Sequence, residues 1–211
     1  MDSAANAGTP EGVVSTGETG CTETFHEYAV RNGVRHSAER MSRGRAMTVA
    51  FIGGSVTAGS GASDAEHAGY RALTCQYLQE WFPQTAFTFV NAAIGGTDSV
   101  YGAFRLKEDA FGRGTADLLF IEFAVNDDGD RTRSIRAMEG MVRQARRLSP
   151  LIDICLIYVA NEQTAERYAE TRKPQDNVAH HEEVAEHYEL PSVDIAGRIY
   201  KRIAAGNLVW K

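Results

Sequence analysis

From about residue 45 onward, short apolar runs alternate with longer stretches of helical periodicity. Met47 to Ile52 is a run of strand length that ends at Gly53-Gly54. Between about Ala65 and Phe82, the residues Tyr70, Leu73, Tyr77, Leu78 and Trp81 recur at helical intervals, and Pro83 stops the helix because its ring forbids continuation. Ala86 to Asn91 predicts a second strand, and a Gly-rich loop from Ala92 to Thr97 leads into a shorter helical piece. Asp117 to Ala124 predicts the third strand. Asp128 to Asp130 supply capping candidates for a helix carrying Ile135, Met138, Met141, Val142, Ala145 and Leu148 at three- and four-residue steps as far as Pro150. Ile152 to Val159 reads as strand four, followed by a polar loop through Lys173-Pro174, a helix from about Asn177 to Tyr188, a brief fifth strand at Ser192 to Ile195 and a last helix.

Five strands alternating with helices predict a parallel sheet, since parallel neighbours need long crossovers, and helices then cover both faces. The expected architecture is an α/β three-layer α/β/α sandwich with a five-stranded parallel sheet. Ligand sites in such sheets lie beyond the carboxyl ends of the strands, which here means Gly53 to Ser55, Ile94 to Asp98 and Val125 to Asp127.

Composition narrows the class. The 211 residues are 43% apolar and 24% charged, as in an ordinary globular protein, so one domain over 23–211 is expected. Residues 1–22 hold only Val13 and Val14 as large aliphatics and read as a disordered tail. Cys21, Cys75 and Cys155 are widely spaced with no Cys-x-x-Cys, which argues for reduced thiols against a disulfide framework or a zinc site. The longest mainly apolar run, Leu151 to Ala160, is broken by Asp153 and falls short of the roughly 18 residues of a membrane span. With no legible signal peptide, the cytoplasm is expected and no membrane partner. The net charge of -6 and the scattered arginines exclude a phosphate-neutralising stripe, so no nucleic acid partner is expected.

Ser55 follows strand one in Phe51-Ile52-Gly53-Gly54-Ser55-Val56-Thr57-Ala58-Gly59-Ser60, where a tight turn can hold a nucleophilic hydroxyl at the top of the sheet. The glycines permit backbone angles closed to other residues, and the Ser55 amide can face the same space. The bland reading is a Gly-Ser turn that caps a helix. A P-loop is disfavoured because Gly59 is followed by Ser60 and not by lysine, and the Gly-x-Ser-x-Gly elbow is disfavoured because Thr57 stands where its second glycine belongs. Asn91-Ala92-Ala93-Ile94-Gly95-Gly96 offers unshielded glycine amides from the second strand, and Ala124-Val125-Asn126-Asp127 brings a carboxamide donor from the third. Backbone amides beside a side-chain amide are what a developing oxyanion requires.

These three blocks make the sequence resemble the SGNH (GDSL-type) hydrolases, from about residue 45 to the end. The resemblance implies a flavodoxin-like fold, Ser55 as nucleophile, and Gly96 and Asn126 as oxyanion donors with the Ser55 amide. Gly54 departs from the family's Gly-Asp-Ser, and Ala124 from its Gly-x-Asn-Asp. The family's Asp-x-x-His, expected after the fifth strand and its helix, is not reached before Lys211, so a C-terminal truncation is expected. The chain's one Asp-x-x-His, Asp64 to His67, follows strand one and reads as a decoy. His180, His181 and His187 lack His-Glu-x-x-His spacing, so no metal is expected; His180 and His187 fall on a solvated face and His181 nearer a packed stripe. Arg105 reads as a structural ion pair, and Glu122, inside an apolar strand, as paired if buried.

Two functions follow as expectations. The first is a cofactor-free serine ester hydrolase acting on a small-molecule or carbohydrate ester, with acetylated sugars as the substrates that the family resemblance implies. The alternative is a catalytically inactive SGNH-fold domain that binds a ligand or partner, which the missing Asp-x-x-His favours.

Overall fold

The computed structural model describes residues 27–210; the tail 1–22 and Cys21 lie outside the described residues. In chain order the elements are β1 (Tyr28–Ala29), α1 (Arg35–Ser42), β2 (Met47–Gly53), α2 (Ser55–Ala58), α3 (Tyr70–Trp81), β3 (Phe87–Ala93), α4 (Ser99–Phe111), β4 (Leu118–Glu122), α5 (Arg131–Leu148), β5 (Asp153–Tyr158), α6 (Glu162–Thr171), α7 (Asp176–His187), β6 (Ser192–Asp194) and α8 (Ile195–Ala204). They build one sheet in the order β1-β6-β5-β4-β2-β3. The strands from β2 onward are parallel, in flavodoxin-like order, with the change of direction between β2 and β4.

The sheet has six strands and not five, because β1 adds an antiparallel edge through Tyr28↔Val193 and Ala29↔Ser192. A two-residue strand carries no alternation long enough to read. The polar stretch after β5 is also not all loop. It contains α6, started by a reciprocal capping box in which the Asn161 side chain accepts from Thr164 N–H and the Thr164 hydroxyl accepts from Asn161 N–H.

Alternating strand residues divide the core. Ala50, Ile52, Leu119, Ile121, Ile154 and Leu156 face Leu106, Met138, Met141, Val142 and Val184 of α4, α5 and α7. Val49, Phe51 and Leu118 face Met41 of α1 and Leu78 of α3, with Phe51 stacked on Phe120 at 4.9 Å between ring centroids. The inward stripe expected of α5 is the one observed. That of α3 is not: the helix begins at Tyr70, five residues later than expected, because the Asp64 carboxylate accepts from Glu66 N–H and shapes a turn, while Gly69 remains extended. Leu73, Tyr77 and Trp81 then face solvent, and Ala72, Leu78 and the Tyr70 side face the sheet. Among the described residues no helix is long and apolar enough to cross a membrane.

Candidate active site

Ser55 is half-buried at the first position of α2, immediately beyond the carboxyl end of β2. The chain turns here in extended geometry at Gly54 (φ -89°, ψ -151°), so the need for glycine is one of space and not of backbone angle. A Cβ on Gly53 would stand 2.2 Å from Thr57 Oγ1, and one on Gly54 would stand 2.2 Å from Asn126 Oδ1. With Asn126 where it stands, a larger residue before the serine would have to displace the carboxamide.

The loop after β3 closes against the same turn. Ile94 N–H donates to Gly53 O at 3.1 Å, and a Cβ on Gly95 would lie 3.6 Å from Ser55 Cβ. Gly96 is exposed, with φ +73° and nothing within 4 Å of its Cβ position. Arg105, buried on α4, holds these strand ends together: its guanidinium donates to Gly53 O at 3.1 Å and to Ala92 O, and pairs with Asp109 at 3.0 Å. The ion pair expected of Arg105 is present, and its main task is to fasten β2 to β3.

After β4 the chain turns tightly, with Asn126 N–H donating to Phe123 O at 2.9 Å. Asn126 Oδ1 is buried without a hydrogen-bond partner among the described residues. Its neighbour Asp127 is the opposite. Asp127 Oδ1 accepts from Ser99 N–H (2.8 Å), and Oδ2 accepts from the hydroxyls of Ser99 (2.8 Å) and Ser134 (2.6 Å). His181 Nε2 lies 3.0 Å from both Asp127 Oδ2 and Ser134 Oγ. Asn177 Nδ2 donates to Ala124 O at 2.9 Å and to Asp127 O at 2.7 Å, so α7 clamps the whole loop. Burial would raise the Asp127 pKa, but the His181 hydrogen bond and charge, with the bonds from Ser134 and Ser99, hold it down at about 2. Helical spacing places His181 on a packed face; its partners come from two distant segments, and spacing cannot name them. His180 is half-buried, with Nδ1 unpartnered, and not on a fully solvated face.

Glu122, the last residue of β4, is fully buried. Thr57 Oγ1 donates to its Oε2 at 2.7 Å, Tyr70 OH lies 2.8 Å from Thr57 Oγ1, and the Gly54 backbone amide nearby favours the charged form of the carboxyl. The pairing expected of it is therefore with neutral donors and not with a cation. Burial pushes its pKa up to about 7, against the lowering effect of Thr57 and Gly54 and with a further push from the Asp127 charge.

Ser55, Gly96 and Asn126 thus come from the ends of three adjacent strands, with Gly95 beside Ser55 and Asn126 against Gly54. Among the described residues no histidine is hydrogen-bonded to Ser55. Asp64 and His67 do form a pair, Nδ1 to Oδ2 at 2.8 Å, on an exposed loop between α2 and α3. The described residues contain no group of three or more His, Cys, Asp or Glu arranged to hold a metal ion. Cys75 and Cys155 are free thiols.

The family described as GDSL-like lipase/acylhydrolase matches residues 51–210. A two-domain esterase active on acetylated mannans is similar in structure (TM-score 0.72, 30% identity), with 83% of this chain covered and 44% of that one. The chain therefore spans less than half the length of that esterase. An acetyl xylan esterase from Geobacillus stearothermophilus (TM-score 0.57, 20% identity, 75% and 80% covered) shares the fold. So does an alpha/beta hydrolase enzyme from the metagenome of Lake Arreo, Spain (TM-score 0.61, 20% identity, 78% and 85% covered). No curated protein sequence matches the chain.

Proposed function

The chain belongs to the GDSL-like lipase/acylhydrolase family, and from that premise we propose that it is a serine ester hydrolase with Ser55 as its nucleophile. The observation that carries this reading is the convergence of Ser55, the Gly95-Gly96 backbone and the Asn126 carboxamide at the ends of β2, β3 and β4. In the first step Ser55 Oγ bonds to the acyl carbon and its proton passes to solvent water. The carbonyl oxygen becomes an oxyanion facing the Ser55 and Gly96 amides and the Asn126 NH2, and collapse expels the alcohol, which takes a proton. Water then adds to the acyl-serine, the bond from the acyl carbon to Ser55 Oγ breaks, and the acid leaves as Oγ takes back a proton. Donors fixed in advance by the fold would lower the barrier, because they need not reorganise during reaction. The chemistry calls on no cofactor.

The alcohol we propose is a sugar hydroxyl and the acyl group a short one, such as acetate. The similar two-domain esterase active on acetylated mannans supports this substrate class. The test is hydrolysis of an activated acetate ester by the 211-residue chain beside Ser55→Ala, corrected for the buffer rate. Loss of turnover in the variant is the expected result; equal rates above buffer for both proteins would remove Ser55 from the mechanism.

A second reading has one observation in its favour: no imidazole contacts the Ser55 hydroxyl among the described residues, and a serine without a general base is a weak nucleophile. On that reading the same donors bind a small anionic or ester ligand without turning it over. Rates equal to buffer for both proteins, with a ligand-dependent rise in thermal stability that Asn126→Ala abolishes, would favour it.

A further inference from the structure

Glu122 is poorly explained as a structural residue. It sits in a strand otherwise made of Leu118, Leu119, Phe120 and Ile121, and no cation faces it among the described residues. Its Oε1 is buried without a hydrogen-bond partner. A buried carboxyl with an unsatisfied oxygen weakens a fold that a leucine at the same place would strengthen. What the carboxyl does reach is the turn that carries Ser55. It accepts from the Thr57 hydroxyl, two residues after the serine, and the backbone amide of Gly54, just before the serine, favours its charged form.

We propose that Glu122 is a positioning residue for the nucleophile: its ionised carboxylate, held beneath the turn, fixes the Gly54–Thr57 segment and with it the direction of the Ser55 hydroxyl and amide. This rests on the reading of Ser55 as nucleophile and adds to it a residue from the neighbouring strand. An ionised carboxylate only accepts, so Thr57 donates to Glu122 and Tyr70 in turn donates to Thr57, which sets the direction of every bond in the chain. A protonated carboxyl loses that ordering, because its O–H competes as a donor with no acceptor beside Oε1. The groups around it are few. Tyr70 of α3, itself near Arg71 and Cys155, reaches it through Thr57, and among the described residues Asp127 supplies the negative charge that acts on it. Burial lifts the carboxyl's titration to about pH 7, so the two forms interchange in the range where an esterase is assayed.

The experiment measures the rate at which an alkyl fluorophosphonate modifies Ser55, with loss of fluoride, in the full chain and in Glu122→Gln, from pH 5.5 to pH 8. Gln is isosteric with the protonated form. The ratio of wild-type to variant rate cancels any base common to both, and it should rise from near unity at pH 5.5 to about tenfold at pH 8, the size expected for a slightly misdirected nucleophile. Thr57→Val should reproduce the loss and Thr57→Ser should restore the rate, which keeps the test intact if the Gln variant folds poorly. A merely structural Glu122 would give a ratio independent of pH, and that result overturns the assignment while leaving Ser55 as nucleophile. No modification of Ser55 in the wild type would overturn both.

Discussion

Two buried carboxyl groups stand within a few residues of each other at the end of β4, and they are treated in opposite ways. Asp127 accepts from Ser99 twice and from Ser134, and faces His181, and its pKa falls to about 2. Among the described residues Glu122 accepts a side-chain hydrogen bond from Thr57, with the Gly54 amide nearby, keeps one oxygen unpartnered, and its pKa rises to about 7. Burial is common to both, so the donor set decides the outcome. A carboxylate wrapped in hydrogen bonds and faced by an imidazole is a fixed anion that ties α4, α5 and α7 to the Asn126 loop. One that is only partly satisfied remains able to change its charge.

The largest expected effect comes from breaking the satisfied one. Asp127→Ala leaves His181, Ser99 and Ser134 buried without their common acceptor and should cost about 3–5 kcal/mol in denaturant unfolding. In the wild type the contribution of Asp127 is whole above the ordinary carboxylate range and is lost as the pH falls toward 2, since its folded pKa is depressed.

Glu122→Gln should act in the opposite sense. A raised folded pKa gives stability that is whole below pH 4.5 and lost as the pH rises through 7, so the wild type weakens over that range and the variant does not. At pH 8 the variant should be the more stable by about 3 kcal/mol, with the two converging near pH 4.5, as read from unfolding curves across pH. A variant less stable at every pH would erase the contrast between the two carboxyls.

Gly54→Ala comes next. Its Cβ would press to 2.2 Å on Asn126 Oδ1, so the carboxamide must move, with a stability loss of about 1–3 kcal/mol and a larger fall in ester turnover. The smallest effect is expected of His67→Ala. The pair with Asp64 is exposed, and both the unfolding midpoint and the ester rate should stay at wild-type values.

The sequence reading succeeds where a single segment holds the information. The apolar runs of β2 to β5 and the stripe of α5 are local, as is the placing of Ser55, Gly96 and Asn126 at strand ends, because parallel crossovers leave little choice of end. It fails where the partner is distant. Glu122 meets Thr57 across 65 residues and His181 meets Asp127 across 54, and no period or spacing reports either. It also fails where two stripes compete on one helix, as on α3, where Leu73, Tyr77 and Trp81 are as regularly spaced as the face that is buried. The contact between Gly54 and Asn126 belongs to the same class, since the two come from the loops of different strands.

The central claim is that the hydroxyl of Ser55 is the reactive group of this molecule. Intact-protein mass measurement after exposure to an alkyl fluorophosphonate, followed by peptide mapping, tests it most directly. The account predicts a single adduct, located on Ser55 and absent from Ser55→Ala; an adduct on another residue, or none, would contradict it.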